Sequence, residues 1–297
     1  MAEARNPFDL ADEAAYLRWR QCKLAGYPAR VEDLVVEVSD PRELTPAQRG
    51  AILQRCAKAN MAVYASSIRD ADKNIPRLLG LQFGLRRLDG NYLADEDGIT
   101  QVTVSSVGDR PNYIPYTNRP IKWHTDGYYN PPGHRIWAML LHCVASASVG
   151  GENALMDHEI AYLAMRDANP DFVRALMAPD AMTIPPRVDE EGVARPEQTG
   201  PVFHVDPHSG ALHMRYTARS RSIEWKQDTP TRAAVAFLED LLSAPSPHIL
   251  RVRLEPGMGI VSNNVLHERA GFQDDESRRR LLYRARYYDR IQGTASV

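Results

Sequence analysis

The segment "IKWHTDGYYN" places an imidazole and a carboxylate two positions apart, at His124 and Asp126, inside a run with strand character. Side chains alternate between the two faces of a β-strand, so residues two apart project from the same side. His124 and Asp126 could therefore reach one common point. Two ligands of a single metal ion require this arrangement.

A third ligand is expected from a segment far away in the sequence. The stretch "VSNNVLHERAGF" offers His267 at the end of a predicted strand that follows the turn "LEPGMG". Two histidines and one carboxylate on one face of a metal leave other positions open for a co-substrate and dioxygen, as in non-haem Fe(II) oxygenases. The sequence therefore predicts His124, Asp126 and His267 as metal ligands.

A second H-x-D, at His204 and Asp206, shows how weak this spacing is by itself in a chain with 9 histidines. The stretch around it has the pattern of two strands joined by a turn, and it lacks a following Gly-Gly segment. We predict that His204, His208 and His213 are surface or turn residues. The histidines without a partner pattern are expected to be structural, and they are His134, His142, His158 and His248.

The basic run "SRRRLLYRARYY" near the C-terminus has the alternation of a strand. One face would carry Arg278, Arg280, Leu282, Arg284 and Arg286, and the other would carry Arg279, Leu281, Tyr283 and Tyr287. A guanidinium that faces the interior can bind a dicarboxylate through two parallel hydrogen bonds, which lysine cannot do. We expect Arg278, Arg279 and Arg286 to lie on a solvated face or in an oligomer contact.

The elements that must position these residues are mostly short strands. Runs with β character begin near residue 100 and are separated by Gly, Pro and Asp turns, which predicts a mainly β barrel or sandwich with flanking helices. Two helical segments, "DHEIAYLAMRDANPDFVRALMA" and "TPTRAAVAFLEDLLSA", interrupt the strands. The region of about residues 180 to 225 contains a stretch rich in Pro, Gly and charge, which predicts a long surface loop or a mobile flap.

Residues 1 to 99 are predicted to form a helical or mixed part that packs on the β domain. One helix is expected to begin at Asp9 or Asp12 and to end at Gly26. Another should have Thr45 as its N-cap and Pro46 at its first position. No internal repeat or long linker divides the 297 residues, so we predict a single domain.

The overall composition narrows the function classes. The chain has 43% hydrophobic residues, 25% charged residues and a net charge of −2, which is typical of a globular protein without an electrostatic footprint for nucleic acid or membrane. Cys22, Cys56 and Cys143 form no C-x-x-C pair and are expected to be reduced. The sequence shows neither a signal peptide nor an apolar run of membrane-spanning length, so we predict a cytoplasmic location.

Four stretches together resemble a known family. "WHTDGYYNPPG", "VGGENALMD", "EPGMGIVSNNVLHERAGF" and "RRRLLYRARYY" are similar in order and spacing to the taurine dioxygenase (TauD/TfdA) family of Fe(II)- and 2-oxoglutarate-dependent oxygenases. The resemblance covers roughly residues 100 to 290. It implies a double-stranded β-helix, which is a cupin-like jelly roll, and it implies that His124, Asp126 and His267 bind Fe(II).

The resemblance also implies roles for polar residues around the metal. Arg280 would bind the distal carboxylate of 2-oxoglutarate, and Arg284 would be a second basic group near the other end of the co-substrate or near the substrate. In "GGEN" the chain has Asn153 where the taurine enzyme has a threonine, and an amide NH₂ can donate the same hydrogen bond. The implied reaction uses O₂, decarboxylates 2-oxoglutarate to succinate and hydroxylates an aliphatic C–H bond. A carboxylate at Asp126 occupies the position that halide takes in related halogenases, which favours hydroxylation.

Two other function classes stay open. A zinc-dependent hydrolase could use the same three ligands, and it would need a general base beside the water that zinc activates. Glu268 is the only adjacent candidate, and strand alternation points it away from His267. The other alternative is a non-catalytic sensor that binds 2-oxoglutarate or metal, although no ligand and no anchoring arginine is missing.

The residues around the metal motif suggest a class of substrate. The aromatic residues on either side of it are Tyr113, Tyr116, Tyr128 and Tyr129. With Arg284 they would form a pocket with aromatic walls and one cationic end, which suits a small anionic or zwitterionic molecule. The alternative is that these tyrosines are core aromatics without substrate contact. Nucleic acid is not expected as a partner, and a homo-oligomer is possible because such folds often associate.

Overall fold

The computed structural model describes residues 6–90, 97–106, 113–189, 192–219 and 223–295. In these ranges the helices are α1 (Glu13–Leu24), α2 (Pro46–Ala59), α3 (Asn74–Leu81), α4 (His158–Ala168), α5 (Pro170–Leu176) and α6 (Thr229–Ser243). The strands are β1 (Val35–Glu37), β2 (Met61–Ala65), β3 (Thr100–Val102), β4 (Ile121–His124), β5 (Ala138–Ala145), β6 (Val149–Gly150), β7 (Asn153–Met156), β8 (Met182–Ile184), β9 (Arg187–Asp189), β10 (Gly192–Arg195), β11 (Gln198–Gly200), β12 (Phe203–Val205), β13 (Leu212–Met214), β14 (Glu224–Trp225), β15 (Leu250–Val252), β16 (Met258–Ser262), β17 (Leu266–Arg269), β18 (Phe272–Gln273) and β19 (Leu281–Tyr287).

The first two helices begin where the sequence predicts. The Asp12 carboxylate accepts a hydrogen bond of 2.9 Å from the Ala15 amide and caps α1. Thr45 and Gln48 form a reciprocal capping box at the start of α2, and Pro46 is the first helical residue. These side chains satisfy amide groups that have no partner within the helix, which explains why each helix starts at that point. Both predictions are confirmed.

Two sheets build the β domain of the described residues. The larger sheet has the order β1-β2-β16-β5-β19-β3, and the smaller one has the order β15-β7-β17-β4. Their apolar faces share one core cluster, which includes Val63 and Met139 from the larger sheet and Leu155 and Val252 from the smaller one. Neighbouring strands come from distant parts of the sequence, as in a jelly roll. The predicted double-stranded β-helix is confirmed.

Part of the N-terminal region belongs to the larger sheet. β2 is buried over most of its length and pairs antiparallel with β16, from Met61 opposite Ser262 to Ala65 opposite Met258. β1 then pairs with β2 in parallel. A short continuous apolar run such as "MAVYA" is typical of a strand covered on both faces. Residues 1 to 99 therefore supply two strands of the larger sheet as well as helices, and residues 1–5 and 91–96 lie outside the described ranges.

The region of about residues 180 to 225 contains strands where the sequence predicts a long loop. Three of them form a sheet in the order β11-β8-β14, and β9–β10 and β12–β13 are antiparallel pairs. The loop prediction was wrong for the β11-β8-β14 sheet and for β9–β10, whereas β12–β13 is the pair of strands that the sequence predicts around the turn at His208. Proline and charged residues at the turns and exposed faces obscure the alternation pattern of strands that are only two to four residues long. Residues 190–191 and 220–222 lie outside the described ranges.

The helical stretch that follows β7 is divided into two helices. The Asn169 side chain accepts a hydrogen bond of 3.0 Å from the Asp171 amide and caps α5, whose first residue is Pro170. Proline lacks an amide hydrogen and cannot continue α4, so the chain turns and starts a new helix. None of the helices in the described part of the chain has the length and apolar character that a bilayer crossing requires.

A buried histidine of β5 makes stability depend on pH. His142 lies in the interior, its Nδ1 is 2.8 Å from the Tyr64 hydroxyl, and burial lowers its pKa from 6.5 to about 4. Between these two values the unfolded chain binds a proton that the folded chain does not bind. We expect acidification through this window to reduce the free energy of unfolding, by at most about 3 kcal/mol for this residue.

Denaturant titrations from about pH 7 to about pH 5 would measure this dependence. The His142→Gln variant should lose less stability on acidification than the native chain. A smaller dependence should persist in the variant, because burial also lowers the pKa of His158 and His213. Equal losses in the two proteins would contradict the prediction.

Candidate metal centre and co-substrate pocket

The three predicted metal ligands lie together between the two sheets. His124 is the last residue of β4, His267 lies on the neighbouring strand β17, and the two face each other in the antiparallel register. Their ring centroids are 4.2 Å apart. One potential ligand atom from each of His124, Asp126 and His267 lies within 4.8 Å of the others. The three residues are only 9%, 5% and 8% exposed, so the cluster is shielded from bulk water.

Both imidazoles are oriented by backbone carbonyls. Nδ1 of His124 lies 2.9 Å from the Lys122 carbonyl oxygen, and Nδ1 of His267 lies 2.9 Å from that of Val265. A carbonyl can only accept, so each Nδ1 carries the proton and each Nε2 keeps its lone pair. Burial lowers the pKa of His124 to about 3 and also lowers that of His267. Both rings are therefore neutral near pH 7, which is the state that binds a metal.

Asp126 reaches the cluster from a turn and not from the strand. β4 ends at His124, and the turn that follows contains Gly127 at φ +68°. The turn is held by Asn264, whose Oδ1 accepts from the Asp126 amide at 2.8 Å and whose Nδ2 donates to the Asp126 carbonyl at 2.9 Å. The assumption that strand alternation alone places both residues was wrong. Nothing in the local pattern marks Asn264, because it acts across a sequence-distant contact.

The Asp126 carboxylate is charged and has one free oxygen. Oδ1 accepts a hydrogen bond of 3.1 Å from Arg284 and lies 3.9 Å from Nη1 of Arg286. Burial raises the pKa of Asp126, but the two guanidinium groups outweigh it and hold that pKa below its usual value. Oδ2 is buried and has no hydrogen-bond partner among the described residues. An unpaired buried acceptor is costly, and a cation bound at Oδ2 would remove that cost.

The pairing of β4 with β17 is irregular beside the histidines. His267 pairs with His124, but Arg269 pairs with Ile121, so the register shifts between these two positions. Three steps along β4 thus correspond to two steps along β17, which is the geometry of a β-bulge. As a result, Ile121 and His124 both line the same cavity although they are an odd number of residues apart.

A cavity beside the cluster separates the two sheets. Its walls come from the segment before β4, from β3, β4, β5, β7 and β17, and from the start and middle of β19. The lining residues are Val102, Pro115, Ile121, His124, Met139, Leu141, Asn153, His267, Arg269, Arg280, Leu282 and Arg284. The two imidazoles stand in its wall together with an apolar surface and four groups that can donate hydrogen bonds. This combination is typical of a pocket for a small anion.

Buried donors without partners stand in this cavity. Arg280 is only 4% exposed, and its Nη1, Nε of Arg269 and Nδ2 of Asn153 have no hydrogen-bond partner among the described residues. Burial lowers the pKa of Arg280 to about 10, and burial with the nearby Arg280 lowers that of Arg269 to about 9. No carboxylate lines the cavity in the described part of the chain. A bound dicarboxylate would satisfy these donors and compensate the charge.

Arg269 was not singled out from the sequence, although a signal for it was present. It follows His267 by two positions on β17 and therefore shares its face. Its Nη2 donates to the carbonyl oxygens of Thr117 and Arg119 at 2.8 and 2.5 Å, which ties the segment before β4 to the cavity wall. Its guanidinium stacks on the ring of Phe272 at 4.8 Å from the centroid.

The alternation predicted for the C-terminal arginine run is present. Arg280 and Arg284 line the cavity on either side of Leu282, and Arg278 and Arg279 are exposed. Arg286 was predicted to be solvated or in an oligomer contact, and this was wrong. It is 3% exposed, pairs with Asp89 and donates to the Tyr129 hydroxyl at 2.9 Å. The inward face of β19 continues to Arg286, because Asp89 supplies a buried counter-charge.

The four predicted substrate-contacting tyrosines do not line this cavity. Tyr116 is buried in the core. The rings of Tyr128 and Tyr129 are edge-to-face at 5.1 Å and pack partly against a core cluster. Tyr113 lies under the guanidinium of Arg187, 4.6 Å from its ring centroid. Cationic groups lie beside three members of the set, since Tyr129 contacts Arg286 and Tyr128 interacts with Arg219.

The second H-x-D is separate from the metal cluster. His204 lies on β12, and Asp206 accepts hydrogen bonds from the amide and hydroxyl of Ser209 in the following turn. His208 is exposed in that turn. His213 was predicted to be a surface or turn residue and is instead buried, with Nε2 3.1 Å from the Ile136 carbonyl oxygen.

Asn264 offers a direct test of how Asp126 is presented. Its backbone has φ 51°, which glycine adopts without strain. Asn264→Gly therefore removes the two side-chain hydrogen bonds to Asp126 without straining the backbone. We expect this variant to bind metal about 10–100-fold more weakly, because groups that orient metal ligands contribute on that scale. Anaerobic calorimetric titration with Fe(II) measures the affinity. Asn264→Ala should show the same weakening and, in addition, a loss of thermal stability from backbone strain. Native Fe(II) affinity in Asn264→Gly would contradict the proposed role of Asn264 in orienting Asp126.

Comparison with known proteins decides the family. The model of the family described as "Taurine catabolism dioxygenase TauD, TfdA family" matches residues 37–286. The chain belongs to this family. The match of the TauD/TfdA family begins in β1 and ends within β19, so it includes both sheets and every residue of the metal cluster.

This TauD/TfdA family member is also similar to individual proteins. The uridine-5'-phosphate dioxygenase of an Amycolatopsis species is 34% identical over 175 residues, which are 56% of this chain and 60% of that relative. The chain thus spans less than two thirds of the length of the curated relative that it matches. A structure of the non-heme iron oxygenase OrfP with (3S)-hydroxy-L-Arg has a TM-score of 0.61 at 15% identity, over 94% of this chain and 92% of that one. The structure of AAD-2 with Mn(II) and N-oxalylglycine has a TM-score of 0.59 at 17% identity, over 87% of this chain and 95% of that one. These two structures share the fold.

Proposed function

We propose that this protein is an Fe(II)- and 2-oxoglutarate-dependent dioxygenase. It hydroxylates an aliphatic C–H bond of a small anionic molecule and releases succinate and CO₂. One observation carries the proposal: two neutral imidazoles and a charged carboxylate meet beside a cavity whose buried cationic donors lack partners. A metal site and a dicarboxylate site share one wall in this arrangement. Family membership agrees with it.

The residues present fit the metal. His124 and His267 each direct an Nε2 lone pair away from a carbonyl-bound Nδ1, and Asp126 keeps Oδ2 without a partner. These are the two nitrogen ligands and one oxygen ligand of the facial arrangement used by non-haem iron oxygenases. Iron bound there would supply the activation of dioxygen. A carboxylate at Asp126 occupies the position that halogenases leave to halide, which supports hydroxylation.

The residues present also fit 2-oxoglutarate. Arg280 can bind the distal carboxylate with its planar fork, and the unpaired Nδ2 of Asn153 can donate to the same group. Asn153 lies directly opposite Arg269 in the pairing of β7 with β17, so the three donors approach one end of the cavity. Met139, Leu141 and Leu282 form apolar walls that exclude water and strengthen these charge-assisted contacts.

A zinc-dependent hydrolase is less well supported by the same site. Its general base would have to stand beside the metal, and Glu268 turns away to pair with Arg251 at 3.5 Å. The cavity lining of the described residues contains no other carboxylate. A sensor without catalysis could lack a metal ligand or the anchoring arginine. All three ligands and that arginine are present here.

The substrate that we propose is a small phosphorylated or otherwise anionic molecule, with nucleoside 5'-monophosphates as the first class to test. The relative that shares 34% identity is named for uridine-5'-phosphate, which is such a molecule. Arg284 and Arg286 lie beside Asp126, and Asp126 and Asp89 balance their two charges, so the similarity to this relative is what supports an anionic substrate. The net charge of −2 argues against a nucleic acid polymer as substrate.

The test is anaerobic loading with Fe(II) and 2-oxoglutarate followed by oxygen and a substrate panel. The panel contains nucleoside 5'-monophosphates, taurine, betaines, dicarboxylates and amino acids, with uncharged alkanes and oligonucleotides as controls. We expect succinate to form in a one-to-one ratio with a hydroxylated small anion or with the product of its breakdown. Turnover only with uncharged compounds or oligonucleotides would overturn the proposed substrate class. Failure to bind Fe(II), or activity with zinc alone, would overturn the proposed chemistry.

A further inference from the structure

Two arginines face each other on the hairpin formed by β9 and β10. Arg187 and Arg195 are opposite each other in its antiparallel register, beside an irregularity between Val193 and Arg195, and burial together with the nearby charge of Arg187 lowers the pKa of Arg195. Like charges that stand directly opposite each other destabilise a hairpin. Neither guanidinium forms a salt bridge with a carboxylate of the described residues, and each lies over a tyrosine ring. This like-charge pair therefore lacks a compensating anion within the described part of the chain.

The face that carries the two arginines is directed toward the aromatic edge of the metal centre. The Arg187 guanidinium lies 4.6 Å from the ring centroid of Tyr113, and that of Arg195 lies 5.4 Å from the ring centroid of Tyr129. Tyr129 accepts a hydrogen bond of 2.9 Å from Arg286, and the same nitrogen of Arg286 is 3.9 Å from Asp126. A continuous series of contacts thus leads from the hairpin to the metal-ligating carboxylate.

The two side chains retain donors for a ligand. Within the described part of the chain, Nη2 of Arg195 donates a hydrogen bond of 2.8 Å to the Pro185 carbonyl oxygen, which leaves the other nitrogen atoms of this guanidinium available to a ligand. Both residues are partly buried, so a bound anion would be partly shielded from water while remaining accessible from the mouth of the site. Partial burial and stacking on tyrosine also restrict the rotamers, which lowers the entropic cost of binding.

We propose that Arg187 and Arg195 bind the phosphate group of the substrate. The proposal rests on the proposed function and names the group of the substrate that this hairpin recognises. A phosphate monoester carries nearly two negative charges near neutral pH and accepts paired hydrogen bonds from guanidinium groups. It would neutralise the like-charge pair, and the remainder of the molecule would extend past Tyr113 and Tyr129 toward Asp126. Arg284 and Arg280 would stay available for the metal ligand and the co-substrate.

Binding to the metal-free full-length protein tests the proposal without relying on catalysis. Calorimetric titrations with uridine 5'-monophosphate, uridine and inorganic phosphate would be compared for the native chain and for Arg187→Gln, Arg195→Gln and the double variant. Arg251→Gln is the matched control, because Arg251 is an exposed strand arginine that pairs with Glu268 away from this hairpin. Glutamine keeps a polar chain of similar reach, and thermal unfolding without ligand confirms that each variant is folded.

We expect the double variant to bind uridine 5'-monophosphate at least about tenfold more weakly, with native affinity in Arg251→Gln. The affinity for inorganic phosphate should fall in parallel, whereas the affinity for uridine should stay the same. Equal affinity of the native chain and the double variant for the monophosphate would overturn the proposal, since the arginines would then only stack on tyrosine. Binding of inorganic phosphate without binding of the monoester would also overturn it. A separate measurement of Fe(II) affinity distinguishes a failure of the proposed metal site from a failure of the proposed phosphate site.

Discussion

Replacing His267 by alanine is expected to reduce both Fe(II) affinity and succinate formation by at least about a hundredfold. Groups that merely orient a metal ligand contribute about 10–100-fold, so loss of the ligand itself should exceed that range. The same result is expected for His124→Ala, because the two rings face each other across the β4–β17 pair and supply the two nitrogen ligands. Anaerobic titration with Fe(II) and single-turnover succinate measurements give the two quantities.

His204→Ala is the matched control for these two variants. It changes the histidine of the other H-x-D, which lies on β12 outside the metal cluster. We expect native Fe(II) affinity and native succinate formation in this variant. Circular dichroism should show an intact fold in all three proteins. Loss of activity in His204→Ala together with a fully active His124→Ala would show that the metal site was assigned to the wrong H-x-D pair.

The second large effect is expected at Arg280. Arg280→Ala should raise the KM for 2-oxoglutarate at least about tenfold, which corresponds to roughly 1.4 kcal/mol or more. The reason is that truncating one partner of a buried, hydrogen-bonded charge pair typically costs about 2–5 kcal/mol. Without co-substrate the same variant should lose only the stability that comes from packing of its guanidinium on the Phe272 ring, 5.1 Å from the centroid, because Nη1 of Arg280 has no hydrogen-bond partner to lose.

Two further variants make the Arg280 result specific. Arg279→Ala changes the preceding residue, which is exposed, and should leave the KM near its native value. Arg280→Lys keeps the charge but loses the planar fork, so its KM should lie between those of the native chain and the alanine variant. Steady-state succinate formation at varied 2-oxoglutarate measures all of them. Equal effects of Arg279→Ala and Arg280→Ala would contradict the assignment of the inward face of β19.

The sequence was most informative where local periodicity decides which way a side chain points. Alternation along β19 was sufficient to separate Arg280 and Arg284 from the exposed Arg279. Helix starts were similarly predictable, since an N-cap such as Thr45 acts on amides of its own first turn. In both cases the residues that determine the structure lie within a few positions of one another.

Predictions failed where the deciding contact is distant in sequence. Asp126 is presented by Asn264, and no local pattern links a turn after β4 to a residue two positions before β17. Arg286 is inward because Asp89 meets it, and this pairing joins segments at opposite ends of the chain. The strand β2 joins the larger sheet through β16 for the same reason. Such pairings are set by the assembled core and cannot be read from periodicity.

The bulge in β4 means that this strand contains one residue more than the facing stretch of β17. Lys122 and Trp123 stand between the two cavity-lining positions, and their number matters because the register shifts between Arg269 and His267. Substitution at the exposed Lys122 keeps that number, so the strand can retain its course. Removing one of the two codons would place Ile121 and His124 two positions apart, so plain alternation would keep both on the cavity face and the bulge would disappear. We therefore expect the two imidazoles to stay opposite each other after a single-residue deletion here, whereas a substitution of the buried Trp123 would disturb the core cluster to which it belongs.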